Sequence, residues 1–159
     1  MATFPLNAWY AAAYDVEVQR ALLSRTVCNQ ALVLYRLADG RVAVLEDACW
    51  HRLLPLSMGR LEGDELVCGY HGIVYNPEGL CTHMPSQETI NPSACVRAYP
   101  VLEKHRFVWV WPGDPALADF GRHVIPDAVP RLRVHAHVYR GYWEDVGTIR
   151  SYYLANLAL

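Results

Sequence analysis

Apolar residues in this chain come in short runs separated by turn residues, and none recurs at helical spacing for long enough to predict a helix. The recurring unit is the strand. Residues 31–35 (Ala-Leu-Val-Leu-Tyr) and 42–45 (Val-Ala-Val-Leu) flank Ala38-Asp39-Gly40, whose Asp-Gly pair supplies the positive φ of a tight hairpin turn. Further strands are predicted at 66–67, 73–75, 80–82, 96–99 and 107–111, with turns at Glu62-Gly63-Asp64 and Asn76-Pro77-Glu78-Gly79. Strands this frequent predict a mainly β fold, a small antiparallel sandwich or open barrel. The pattern stops at Trp111-Pro112-Gly113-Asp114-Pro115, and the residues beyond are richer in Arg and His without clear periodicity. A boundary is therefore expected near residue 115, dividing a β domain (1–115) from an irregular tail (116–159).

Composition narrows the function. The chain has 159 residues, 53% of them hydrophobic and 19% charged, enough for a buried core and about one domain with an appendage. Its net charge is −2 and its basic residues are scattered, so nucleic acid is not an expected partner. No apolar run reaches the roughly 18 residues that a membrane span needs, and no basic segment precedes an apolar one near the start. A cytoplasmic location away from membranes is expected. Five cysteines (Cys28, Cys49, Cys68, Cys81, Cys95) are an odd number, which argues for ligand or structural thiols over a disulfide framework.

Candidate chemistry sits in Cys49-Trp50-His51 and, sixteen residues on, Cys68-Gly69-Tyr70-His71. Each turn-rich loop offers one thiol and one imidazole, so the two loops together can hold one small inorganic group. Three sites compete on ligand chemistry. Zinc of the Cys₂His₂ type usually takes two cysteines from one element and two histidines from another. A ferredoxin cluster takes four thiolates, whereas a Rieske [2Fe-2S] cluster takes two cysteines on one iron and two histidines on the other.

The Cys-x-His and Cys-x-x-His-Gly pattern resembles the Rieske signature. Asn7-Ala8-Trp9-Tyr10, Cys49-Trp-His-Arg52 with Leu54-Pro55-Leu56-Ser57, Cys68-Gly-Tyr-His-Gly72 and Trp109-Val-Trp-Pro-Gly-Asp114 extend it over about residues 4–118. Together they are similar to aromatic-ring oxygenase alpha subunits of the vanillate O-demethylase type, a group that includes dicamba and toluenesulfonate monooxygenases. The resemblance implies a Rieske-type antiparallel sandwich or open barrel with two cluster-binding loops. It places Cys49 and Cys68 on one iron of a [2Fe-2S] cluster and His51 and His71 on the other. It also implies electrons drawn from NADH through a flavin and ferredoxin-type reductase and passed to a mononuclear Fe(II), a substituted aromatic acid such as vanillate as substrate, and a homotrimer. The additional loop cysteines of the cytochrome bc type are absent, with Tyr70 in one of their places.

The resemblance implies that the mononuclear iron is held by two histidines and a carboxylate, and the 46 residues after Gly113 contain no Asp-x-x-His-x₄-His pattern. The chain is accordingly expected to carry a truncated catalytic part and to relay electrons without oxygenating. Two other readings remain open: a stand-alone Rieske ferredoxin and a zinc-binding interaction module. His135 and His137 are read as surface histidines, His83 and His105 as solvated, and Cys28, Cys81 and Cys95 as small buried hydrophobes. Trp50 and Leu54-Pro55-Leu56 are expected to shield the cluster. Tyr70 is read either as a hydrogen-bond donor beside it or as packing alone.

Overall fold

A computed structural model describes residues 4–118 apart from Ser86, all within the unit Met1–Ile125; the expectations for the tail, including His135 and His137, lie outside the described residues. Ten strands occur in it: β1 Tyr10–Tyr14, β2 Leu23–Val27, β3 Gln30–Arg36, β4 Val42–Glu46, β5 Arg60–Glu62, β6 Glu65–Val67, β7 Val74–Tyr75, β8 Cys81–His83, β9 Val101–Lys104 and β10 Phe107–Val110. They form three antiparallel sheets with orders β1-β10-β9, β2-β3-β4 and β5-β6-β7-β8.

The middle strand of the second sheet explains the layering. Side chains alternate along a strand, so Leu32 and Leu34 of β3 point one way and Val33 and Tyr35 the other. All four are fully buried. Leu32 and Leu34 join Val18, Val44, Val108 and Val110 in one core, facing the β1-β10-β9 sheet. Val33 and Tyr35 join Leu45, Leu56, Leu66 and Tyr75 in the other, facing the β5-β8 sheet. The second sheet is thus covered on both faces, which is why residues 31–35 read as a continuous apolar run instead of an alternating one. Each such Leu or Val contributes about 1.5–3 kcal/mol by leaving water.

The predicted β3–β4 hairpin is present, with Gly40 at φ +91° in its turn. The other two turns also carry their glycines at positive φ, Gly63 at +59° and Gly79 at +81°. A further turn was not legible: Val27 pairs with Gln30, leaving Cys28 and Asn29 as a two-residue loop with φ of +51° and +63°. That geometry suits an Asn-Gly pair, and Cys28 gave no turn signal.

The segment 96–99 corrects the expectation of a strand. It makes only isolated bridges, Leu45 to Ala98 and Leu80 to Cys95 at its start. Its backbone is shared between neighbours. Val96 donates to Gly79, while Arg97 accepts from Glu46 and Tyr99 donates to Val44. A chain that bonds first to the turn before β8 and then to β4 completes a ladder with neither.

Candidate metal centre

Two loops at one end of the β5-β8 sheet share a backbone pattern. In the first, Cys49 N–H donates to Leu54 O at 2.8 Å and Leu53 N–H donates back to Cys49 O at 2.8 Å. In the second, Cys68 N–H donates to Ile73 O at 2.8 Å and Gly72 N–H to Cys68 O at 3.1 Å. The fifth residue of each loop is left-handed, Leu53 at φ +57° and Gly72 at +72°. Glycine adopts this region freely, whereas a leucine there costs about 1–2 kcal/mol. The glycine after His71 is therefore a backbone requirement that the first loop meets with strain.

Each loop sends its cysteine inward and its histidine outward. Cys49 and Cys68 are both 2% exposed and belong to the core between the second and third sheets, whereas His51 and His71 are exposed. The two imidazoles face each other with Nδ1 atoms 3.1 Å apart and ring centroids 4.7 Å apart. Burial pushes the Cys68 thiol up; the backbone N–H groups of Tyr70 and His71 oppose this, and the neighbouring Cys49 thiol adds to it. All four predicted ligand candidates are thus gathered at the loop tips as a sulfur pair below and a nitrogen pair above.

Backbone contact between the loops depends on glycine. A Cβ on Gly59 would lie 2.1 Å from Val67 O, and one on Gly69 would lie 2.8 Å from Met58 O. The end of the first loop and the turn of the second therefore touch through main chain, which brings the two cysteines together.

Tyr75, fully buried, reaches this centre from β7. Its hydroxyl lies 3.3 Å from Cys49 Sγ and accepts the Trp50 N–H at 3.2 Å. Toward a Cys49 thiolate, which has no hydrogen to give, the phenol can only donate. Burial is the largest cause raising the Tyr75 phenol, which therefore stays a donor. A hydrogen bond to a ligand sulfur stabilises the more negative, reduced state. If Cys49 holds iron, Tyr75→Phe is expected to lower the midpoint potential by tens of millivolts without loss of iron, measured by dye-mediated titration.

Several other expectations can now be placed. Tyr70 is 62% exposed and lies against the His71 ring at 3.8 Å between centroids, a covering role on the outer face instead of core packing. Trp50 is 38% exposed and lines a small cleft of about 110 Å³ with His51, His71 and Met84. Leu56 is fully buried beneath the loop, Leu54 is half-buried and Pro55 is exposed. Cys95 is exposed and Cys28 and Cys81 are half-buried, which corrects the reading of all three as buried hydrophobes. Cys28 lies in the turn after β2 and Cys81 in the three-residue β8, each packed at the edge of a core, while Cys95 lies outside the strands. His83 is exposed, as expected. Tyr75 and Gly59 carried no signal in the sequence, because nothing local distinguishes a tyrosine or glycine that acts across the fold.

Among the described residues, no three or more His, Cys, Asp or Glu side chains could share one metal ion. The grouping is two and two. That suits a group with two metal ions and soft and imidazole donors divided between them, and the residues present fit a [2Fe-2S] cluster of mixed ligation.

Stacked antiparallel sheets that raise one Cys/His pair on each of two equivalent loops define a class of iron–sulfur protein. The chain belongs to the Rieske [2Fe-2S] domain family, which it matches over residues 8–100. The iron–sulfur subunit of the toluene-4-sulfonate monooxygenase system of Comamonas testosteroni is 49% identical over 117 residues, 73% of this chain and 34% of that protein. The vanillate O-demethylase oxygenase subunit of a Pseudomonas species is 46% identical over 116 residues, 73% of this chain and 32% of that protein. Dicamba monooxygenase, solved with non-heme iron and dicamba, superposes with a TM-score of 0.72 at 47% identity, covering 76% of this chain and 37% of that one. The chain thus spans about a third of the length of these oxygenase relatives, and the family resemblance read from its motifs holds. No described helix is long and apolar enough to cross a membrane.

Proposed function

We propose that Cys49 and Cys68 hold one iron of the [2Fe-2S] cluster, that His51 and His71 hold the other, and that the domain relays electrons to a mononuclear iron centre in oxygenation or O-demethylation of an aromatic acid such as vanillate. The observation that carries this is the sulfur pair buried beneath a nitrogen pair on two hydrogen-bonded loops of equal form. Bound there, the cluster would supply one-electron storage at a potential raised by its neutral imidazole ligands. Cys49 and Cys68 keep the sulfur side dry. His51 and His71 form the solvent-facing edge through which an electron enters and leaves, and their facing Nδ1 atoms are the ones that would take the iron. Tyr70 and Trp50 flank that edge.

On this reading the boundary between the cluster domain and the catalytic part falls near residue 115, the electron donor is a flavin and ferredoxin-type reductase, and the assembly is a cytoplasmic homotrimer. The relatives' oxygenase names support the reading over a free ferredoxin. The test is composition and spectrum of the anaerobically purified chain. A brown protein with two irons and two sulfides per chain, and an axial EPR signal on reduction by NADH and reductase, is expected. A colourless chain with stoichiometric zinc overturns it.

A further inference from the structure

Asp47 is the charged side chain buried among the described residues, 6% exposed, and it stands two residues before Cys49. Its Oδ1 accepts the Ser57 backbone N–H at 2.6 Å. Its Oδ2 accepts the Ser57 hydroxyl at 2.7 Å and the Ser24 hydroxyl at 3.0 Å. Ser57 lies near the end of the loop that Cys49 opens, and Ser24 belongs to β2. The carboxylate therefore ties both ends of the first loop together and fastens them to the second sheet.

Stapling alone does not call for a charge. An asparagine could accept the Ser57 N–H and offer its amide to the hydroxyls, at a smaller desolvation cost than a carboxylate. The groups around Asp47 are dipoles, and among the described residues it joins no ion pair. Its negative charge is solvated by them but not cancelled, so its field persists in a low-dielectric interior. Chain geometry alone keeps the Cα of Cys49, two residues on, within roughly 7 Å of that of Asp47.

Resting on the ligand assignment above, we propose that Asp47 is a positioning residue of the first loop whose buried charge also lowers the reduction potential of the centre held by Cys49, His51, Cys68 and His71. The sign follows from the one-electron couple: reduction adds a negative charge, and a fixed anion nearby opposes it. Asp47 works against the two neutral imidazoles, which favour reduction, and against the Tyr75 hydroxyl on Cys49.

The experiment is a potentiometric EPR titration of the full chain with its cluster, beside iron and sulfide analysis. At the wild-type midpoint, Asp47→Asn is expected to raise the ratio of reduced to oxidised centre about tenfold, equivalent to 59 mV for one electron. Ser24→Lys, from an exposed β2 position, brings an ammonium to the intact carboxylate and should raise that ratio several-fold. Ser57→Ala keeps the charge while removing one hydrogen bond, and should not raise it. Fully loaded variants at Asp47 and Ser24 with unmoved potentials overturn the proposal and leave the ligand assignment standing, as does a Ser57→Ala rise equal to that of Asp47→Asn. If Asp47→Asn fails to load, Ser24→Lys decides by the same criterion. A wild-type chain without iron and sulfide refutes the ligand assignment and this proposal together.

Discussion

His71→Ala is expected to fold normally and to carry less than a tenth of the wild-type iron and sulfide. The reason is the division of labour in the loops. His71 is exposed, its backbone belongs to a turn closed by Cys68 and Ile73, and its ring packs against His51 and Tyr70 at the surface. Removing the ring leaves the buried sulfur pair and the core beneath it intact, so the thermal midpoint of the metal-free chain should change little. It takes away one of only two donors on the outer side, and two donors are the whole protein share for that iron on this reading. His71→Cys separates ligand identity from ligand presence. It should retain iron while its potential falls by an amount on the order of 300 mV, toward the range of all-thiolate clusters. Iron analysis, circular dichroism and potentiometry on the three chains check this, and a His71→Ala chain with full iron content would refute the assignment.

Gly59→Ala should cost both stability and metal. The added Cβ would sit 2.1 Å from Val67 O and 3.0 Å from Leu56 O, and both obstacles are backbone. A flexible side chain could swing aside; a strand carbonyl and a turn carbonyl cannot, so β5 must move away from β6 or the Leu56–Met58 turn must open. Overpacking of this severity costs about 3 kcal/mol or more. For a domain of this size that is a fall in Tm of roughly 10–20 °C. Cluster retention should drop as well, since this contact joins the two loops. Gly63→Ala is the control. A Cβ there meets open space, so only the left-handed φ of +59° is penalised, at about 1 kcal/mol. Equal losses from the two substitutions would show that backbone approach at Gly59 has no special part.

The fold was readable where one short stretch holds the whole signal. Residues 31–45 announce a hairpin because an apolar run, an Asp-Gly turn and a second apolar run follow one another, and β3 and β4 form there. β2 was not readable. Its Leu-Ser-Arg-Thr-Val buries only Val27, and it becomes a strand by pairing through its whole length with the first five residues of β3. β1 reads Tyr-Ala-Ala-Ala-Tyr, equally suited to other structures, and is held in register by β10, nearly a hundred residues away. Residues 96–99 misled in the opposite direction, since a strand-like composition there bonds to the turn before β8 and then to β4.

For the candidate centre, residue type and spacing alone pointed to Cys49, His51, Cys68 and His71, because the inorganic chemistry depends on donor atoms and those are written in the residue names. Which of these donors lie deep and which face water came from the folding of two loops over a common core, as did the Tyr75 hydroxyl on Cys49 and the Asp47 carboxylate under Ser57. Donor chemistry and alternation are properties of neighbours along the chain. Burial, the aim of a hydrogen bond and the approach of one main chain to another arise between segments far apart in it, and only the packed molecule brings those segments together.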